Sequence, residues 1–167
     1  MRRAQALILL ALTSASFAVA ASASAGRAPA EDGTLSVRDG RATIVLRMRG
    51  SAIGRLKKGR LVLTDDAPGM TLVVRGAEAE RDLPNGTTVY SGTNIWFRIA
   101  DDQRFGVRLE GKGLNFSAVG RGNGSIDGWG DPAAGVFFDG SYSLNGTDYP
   151  TLPNERAPFE LSAPRSG

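Results

Sequence analysis

The chain of 167 residues contains no cysteine and no histidine. The first absence excludes disulfides, thiolate metal sites and thiol nucleophiles; the second excludes imidazole ligands and every histidine-based triad. Without an imidazole, proton transfer near neutral pH requires a carboxyl or lysine of strongly displaced pKa, and no pattern in the sequence locates one. Gly-x-Ser-x-Gly and Ser-x-x-Lys nucleophile patterns are also missing. Past Gly26 there is no sustained 3.6-residue apolar period, so long amphipathic helices are not expected. The composition implies a destination and a fold class rather than an activity, and it calls for no cofactor and no metal.

The N-terminus reads as a targeting segment. Arg2 and Arg3 precede an apolar run, Ala6 to Leu12, too short to cross a hydrocarbon core of about 30 Å as a helix. Ala-x-Ala sites end at Ala20 and Ala25, which predicts a secretory signal peptide over 1–25 cut after Ala25, then a linker over 26–32. No cysteine follows the apolar run and no second apolar run exists, so the expectation is an exported protein, secreted or associated with the cell envelope, without a lipid or transmembrane anchor. Cleavage would leave eighteen basic and seventeen acidic residues, so the pI of 9.7 overstates the case for a polyanion partner. Distribution is more telling: ten basic and five acidic groups fall in 26–75, eight and twelve in 76–167.

From residue 33 to 152 the pattern is that of an all-β domain, with a polar tail expected over 153–167. Ile44, Leu46 and Met48 alternate with Val45, Arg47 and Arg49; Ile95, Phe97 and Ile99 with Trp96 and Arg98; Phe105, Val107 and Leu109 with Gly106, Arg108 and Glu110. Such alternation places one set of side chains in a core and the other in water. Asp39-Gly40, Asn85-Gly86, Asn123-Gly124, Asp139-Gly140 and Asn145-Gly146 supply residues suited to positive φ at turns. Turns also account for most of the Asn-x-Ser/Thr sequences at Asn85, Asn115, Asn123 and Asn145. Glu78 to Leu83 could form one turn of helix. The fold expected is an antiparallel β-sandwich or partly closed barrel of about ten short strands. A duplication at an offset of 63 is an additional reading: it aligns Leu46 with Leu109, Ile53 with Phe116, Leu56 with Val119 and Leu63 with Ile126.

Several stretches resemble secreted proteins of high-GC actinobacteria, a group without an assigned activity. They are Asp32-Gly33-Thr34-Leu35-Ser36-Val37, Thr88-Val89-Tyr90-Ser91-Gly92, Leu114 through Gly122 and Tyr142-Ser143-Leu144. The resemblance implies bacterial export and a β-rich fold, and carries over no site.

The densest basic cluster is Arg47, Arg49, Arg55, Lys57, Lys58 and Arg60. If 41–49 and 52–57 formed a hairpin, several of these cations would share a face able to hold an anionic wall polymer or a membrane surface. A solvated, aggregation-resistant edge is the plainer reading. Nucleic acid is not the expected partner, because no aromatic residue interleaves with the basic run. Trp129, between Gly128 and Gly130, is a candidate exposed contact, and Trp96 could stack with Arg98. Asn123, Ser125, Asp127 and Asp131 suggest the start of a calcium loop, but Ala134 stands where a bidentate glutamate is needed, so a turn is expected instead. Asp65-Asp66 and Asp101-Asp102 read as turns. The function expected is non-catalytic binding or a structural role at a bacterial envelope. The alternatives are a secreted hydrolase of glycans or esters using carboxylates from separate strands, and a subunit that pairs its sheet with other copies.

Overall fold

The computed structural model describes residues 32–65, 70–130 and 140–163; the signal-peptide and linker expectations therefore lie outside the described residues up to 31. Among the described residues there are seven strands: β1 (Gly33–Asp65), β2 (Thr71–Arg75), β3 (Ala79–Leu83), β4 (Thr87–Gly128), β5 (Ser141–Leu144), β6 (Thr147–Tyr149) and β7 (Ala157–Leu161). Among the described residues there is no helix, and so none long and apolar enough to cross a membrane.

β1 and β4 are far longer than an ordinary strand of five or six residues. Their registers show why. Residues 105–112 pair with 41–48 on one edge and with 58–65 on the other. One straight strand cannot flank the same neighbour twice, so β1 must bend between those runs. The intervening run 50–57 pairs instead with 95–101 and 114–120. Followed edge to edge, one layer is 79–83, 87–92, 58–65, 105–112, 41–48, 121–128 and 157–161. The other layer is 71–75, 95–101, 50–57, 114–120, 33–37, 141–144 and 147–149. The result is an antiparallel sandwich not closed into a barrel, whose long strands switch layers at bends.

Glycine makes those bends. Gly50 has φ 126° and pairs with Gly120 at φ 152°. A Cβ at Gly50 would collide with the Val119 carbonyl, and one at Gly120 with the Arg49 carbonyl. The next corner pairs Gly59 with Gly111, where a Cβ on either would meet the other strand's backbone. The expected hairpin between 41–49 and 52–57 is therefore corrected: at Gly50 the chain crosses to the opposite layer rather than turning back beside itself.

The core lies between the layers. Ile44, Leu46, Met48, Leu56, Leu61, Leu63, Ile95, Phe97, Ile99, Phe105, Leu109 and Leu114 are buried, and no described polar side chain is buried with them. Full burial of one such aliphatic or aromatic side chain stabilises by about 1.5–3 kcal/mol. Gly54 faces Phe97, whose ring occupies the volume that a Cβ at residue 54 would need.

The four inner runs of each layer, 58–65, 105–112, 41–48 and 121–128 in one and 95–101, 50–57, 114–120 and 33–37 in the other, keep their order when runs about 63 residues apart are exchanged and the layer is read from its other end; the edge strands do not follow this exchange. The burial pattern refines the offset. Ile44, Leu46 and Leu63 have buried counterparts at 63, namely Val107, Leu109 and Ile126. Leu35, Ala52 and Leu56 have theirs at 62, namely Phe97, Leu114 and Ala118. Matching Ile53 with Phe116 fails, because Ile53 is exposed and Phe116 is buried.

Three further expectations change. Glu78 to Leu83 is not helical; Ala79–Leu83 is the edge strand β3, closed onto 87–91 by Asn85 and Gly86, both at positive φ. The β body does not end at 152: Leu152 is buried, and β7 pairs with 122–126 and buries Leu161. Asn123-Gly124 is not a turn but part of a flat run within β4.

Candidate functional site: a cation row at a sandwich corner

Alternation along each strand fixes which side chains point outward. Buried positions are even from Ala42 to Leu56 and odd at Leu61 and Leu63, so parity flips across the corner at Gly59. The flip leaves both Lys57 and Lys58 exposed. Lys58 is in register with Lys112, and Lys112 with Arg41. Three cations thus occupy adjacent strands, spaced about 4.8 Å apart in the ladder direction. Past the end of its ladder run, the Trp129 amide donates to the Arg41 carbonyl at 2.7 Å, which fixes the indole beside the row, 37% exposed. Arg41, Lys58, Arg60, Glu110, Lys112 and Trp129 line a shallow cavity of about 410 Å³.

Charge within the cavity is unevenly neutralised. Arg60 Nε donates to Glu110 Oε2 at 3.0 Å, and Arg108 Nε donates to Glu110 Oε1 at 2.6 Å. Burial alone would raise the Glu110 carboxyl, but hydrogen bonds and charge from Arg108 and Arg60 outweigh it and hold it below its ordinary value. Glu110 is therefore an ionised clamp, the opposite of a general acid. Among the described residues no carboxylate pairs with Arg41, Lys58 or Lys112. Lys112 also borders a second groove of about 640 Å³ shared with Arg38, Asp39 and Lys57. There Lys57 Nζ meets Asp39 Oδ1 at 3.2 Å, an exposed pair of little energetic weight.

The residues singled out from the sequence are divided by the fold. Lys58, Arg60 and Trp129 come together, and Lys57 lies in the adjoining groove. Arg47 and Arg49 lie at the far end of the same layer, Arg47 between Gly106 and Asn123 and Arg49 opposite Arg121. Arg55 belongs to the other layer and donates to Asn94 Oδ1 at 3.2 Å. Arg41, Lys112 and Arg38 were not singled out; only the ladder brings them to the lysines. Trp96 is approached by Arg75, 5.7 Å from the ring centroid, rather than by Arg98.

Asn123, Ser125 and Asp127 stand on one face of a flat run, where alternate residues are about 7 Å apart and do not converge on an ion. Asp131 lies outside the described residues, as do the side chains of Asp65, Asp66, Asp101 and Asp102. Among the described residues no three acidic side chains gather into a metal-binding group. The Tyr90 hydroxyl is pushed up to about 12 by burial, reinforced by its bond to Glu80 and the charges of Glu80 and Asp82, so it stays protonated. The chain matches no family model, no curated protein and no solved structure.

Proposed function

We propose that the chain is an exported binding protein of a bacterial envelope, attached by electrostatic contact with an anionic polymer or lipid surface. The observation that carries this reading is the Arg41–Lys112–Lys58 row, free of carboxylate partners among the described residues and bordered by Trp129. Three cations on neighbouring strands suit closely spaced phosphates, and the ladder fixes the spacing of the backbone positions that carry them. The apolar N-terminal run and the resemblance to actinobacterial secreted proteins supply the export premise. A hydrolase reading gains less from the site, since Glu110 is already committed to two arginines.

The test uses residues 26–167, which contain every described strand and every described core residue. The protein is sedimented with isolated cell wall and with anionic vesicles over a salt series. Binding is expected at low salt and release at high salt. Arg41→Ala/Lys58→Ala/Lys112→Ala is expected to weaken binding to isolated wall roughly fivefold per cation removed. Wall sedimentation that ignores both salt and the triple substitution removes the reading. Export is checked separately by N-terminal sequencing of secreted protein, with Gly26 expected first.

A further inference from the structure

The second layer presents an outer face unlike the cation row. Arg75, Trp96 and Arg55 lie in register across three adjacent strands. In the next row Val73, Arg98 and Ile53 do the same. Ile53 is 46% and Val73 38% exposed, large values for aliphatic side chains on a sheet. Ala100 and Val119, both half-buried, flank Ser51 in the row beyond. The centre of the face is therefore one indole and two aliphatic side chains with three guanidinium groups set among them. The described carboxylates on that outer face are Asp39, paired with Lys57, and Asp148 on edge strand β6, and neither lies in these three rows.

We propose that this face docks on an anionic phospholipid bilayer. Arginine can pack its aliphatic stem along apolar neighbours while its head reaches a phosphate, and Arg98 between Val73 and Ile53 is placed to do so. Trp96 is suited to the headgroup boundary, where one end of the ring is apolar and the N–H is wet. The aliphatic pair decides the class of partner. A solvated phosphodiester chain gains nothing from exposed Ile53 and Val73, whereas a bilayer interface buries them. A second copy of the same face would bring three arginines against three. Nucleic acid would need a series of stacking rings, and this face has one. The inference does not depend on the cation row, which lies on the other layer.

The experiment uses residues 26–167 carrying Trp129→Phe, so that Trp96 is the sole indole. The protein is titrated with phosphatidylcholine vesicles with and without phosphatidylglycerol, and with acyl-brominated lipid as a quencher. Trp96 emission is expected to shift to the blue and to be quenched only when phosphatidylglycerol is present. Arg55→Ala/Arg75→Ala/Arg98→Ala should weaken the response roughly a hundredfold, from about fivefold per arginine. Ile53→Ser/Val73→Ser should weaken it at every salt concentration while keeping its salt dependence. Arg41→Ala/Lys58→Ala/Lys112→Ala should leave the Trp96 signal unchanged, whatever it does to wall binding. An unresponsive Trp96 on anionic vesicles overturns the proposal. So does an Ile53→Ser/Val73→Ser protein that behaves like its parent, because the partner is then a solvated polyanion.

Discussion

The two outer faces of the sandwich are built by the same alternation rule and have different surface chemistry. On the first layer Glu110 sits mid-sheet and binds Arg60 and Arg108, so unpaired positive charge collects in one row at the corner. On the second layer the centre holds Trp96, Ile53 and Val73 with three arginines and no described carboxylate. Register causes the difference. Arg55 and Lys58 are three residues apart in sequence and lie on opposite layers, whereas Lys58 and Lys112 are far apart and lie side by side. A density of basic residues along the chain therefore says little about charge density on a surface.

The largest expected effect tests whether the two faces exist as separate surfaces at all, since both depend on the corner at Gly50. Valine there adds a β-branched side chain at φ 126° and drives it into the Val119 carbonyl. Strain and overpacking should together cost at least about 3 kcal/mol in urea unfolding. Gly146→Ala is the control. Gly146 also has positive φ, at 83°, but nothing lies within reach of a Cβ, so about 1 kcal/mol is expected. Similar losses for the two variants would mean that the corner is not held by close backbone approach.

That corner also marks where the sequence could and could not be read. Alternation at 41–49, 95–99 and 104–110 placed the strands and most of the core, because a period of two determines the buried set without reference to partners. The glycine pairs were harder. Asn85-Gly86 and Asn145-Gly146 are positive-φ turns, as their side chains suggest. Asn123-Gly124 has the same composition and lies flat, since Gly124 is needed where Phe159 of β7 crosses close to the backbone. Gly50 stands inside unbroken apolar alternation and carries no turn partner, so nothing local marks it as a crossing, and at Gly59 the local sign is only the change of parity between Leu56 and Leu61. For the same reason half of the basic cluster was legible as a site and half was not. Lys58, Arg60 and Trp129 meet, but Arg41 and Lys112 are supplied by pairings that a linear reading does not contain.

A smaller effect, and one that narrows the contrast between the faces, is expected from Glu110→Gln. The carboxyl lies below its ordinary value in the folded state, so its stabilisation is complete above the unfolded pKa and is lost as pH falls through the folded pKa. The parent protein should therefore lose stability on acidification below about pH 4.5, and the glutamine variant should lose that part of the slope. At neutral pH the substitution should cost about 1 kcal/mol, because Arg60 and Arg108 are half exposed and regain water. Freed from Glu110, both guanidinium groups would join the row, and binding to isolated wall should tighten several-fold. Looser binding would mean that Glu110 orders the cavity rather than restraining its charge.

The smallest effect belongs to Asp39→Asn, and it separates a binding role from a structural one for the groove beside the row. Asp39 has φ 47°, a conformation that asparagine tolerates as well as aspartate does, so the backbone is unaffected. Its ion pair with Lys57 is exposed on both sides, and its removal should change stability by less than about 0.5 kcal/mol. The amide keeps an acceptor for Lys57 and removes one negative charge from a groove lined by Arg38, Lys57 and Lys112. If the band of cations extends from the row into this groove, wall binding should tighten by roughly the fivefold that one unit of charge is worth at an anionic surface. The gain should vanish at high salt. An unchanged affinity at low salt would confine the binding surface to Arg41, Lys58, Lys112 and their neighbours around Trp129, with Lys57 and Arg38 only solvated at the edge.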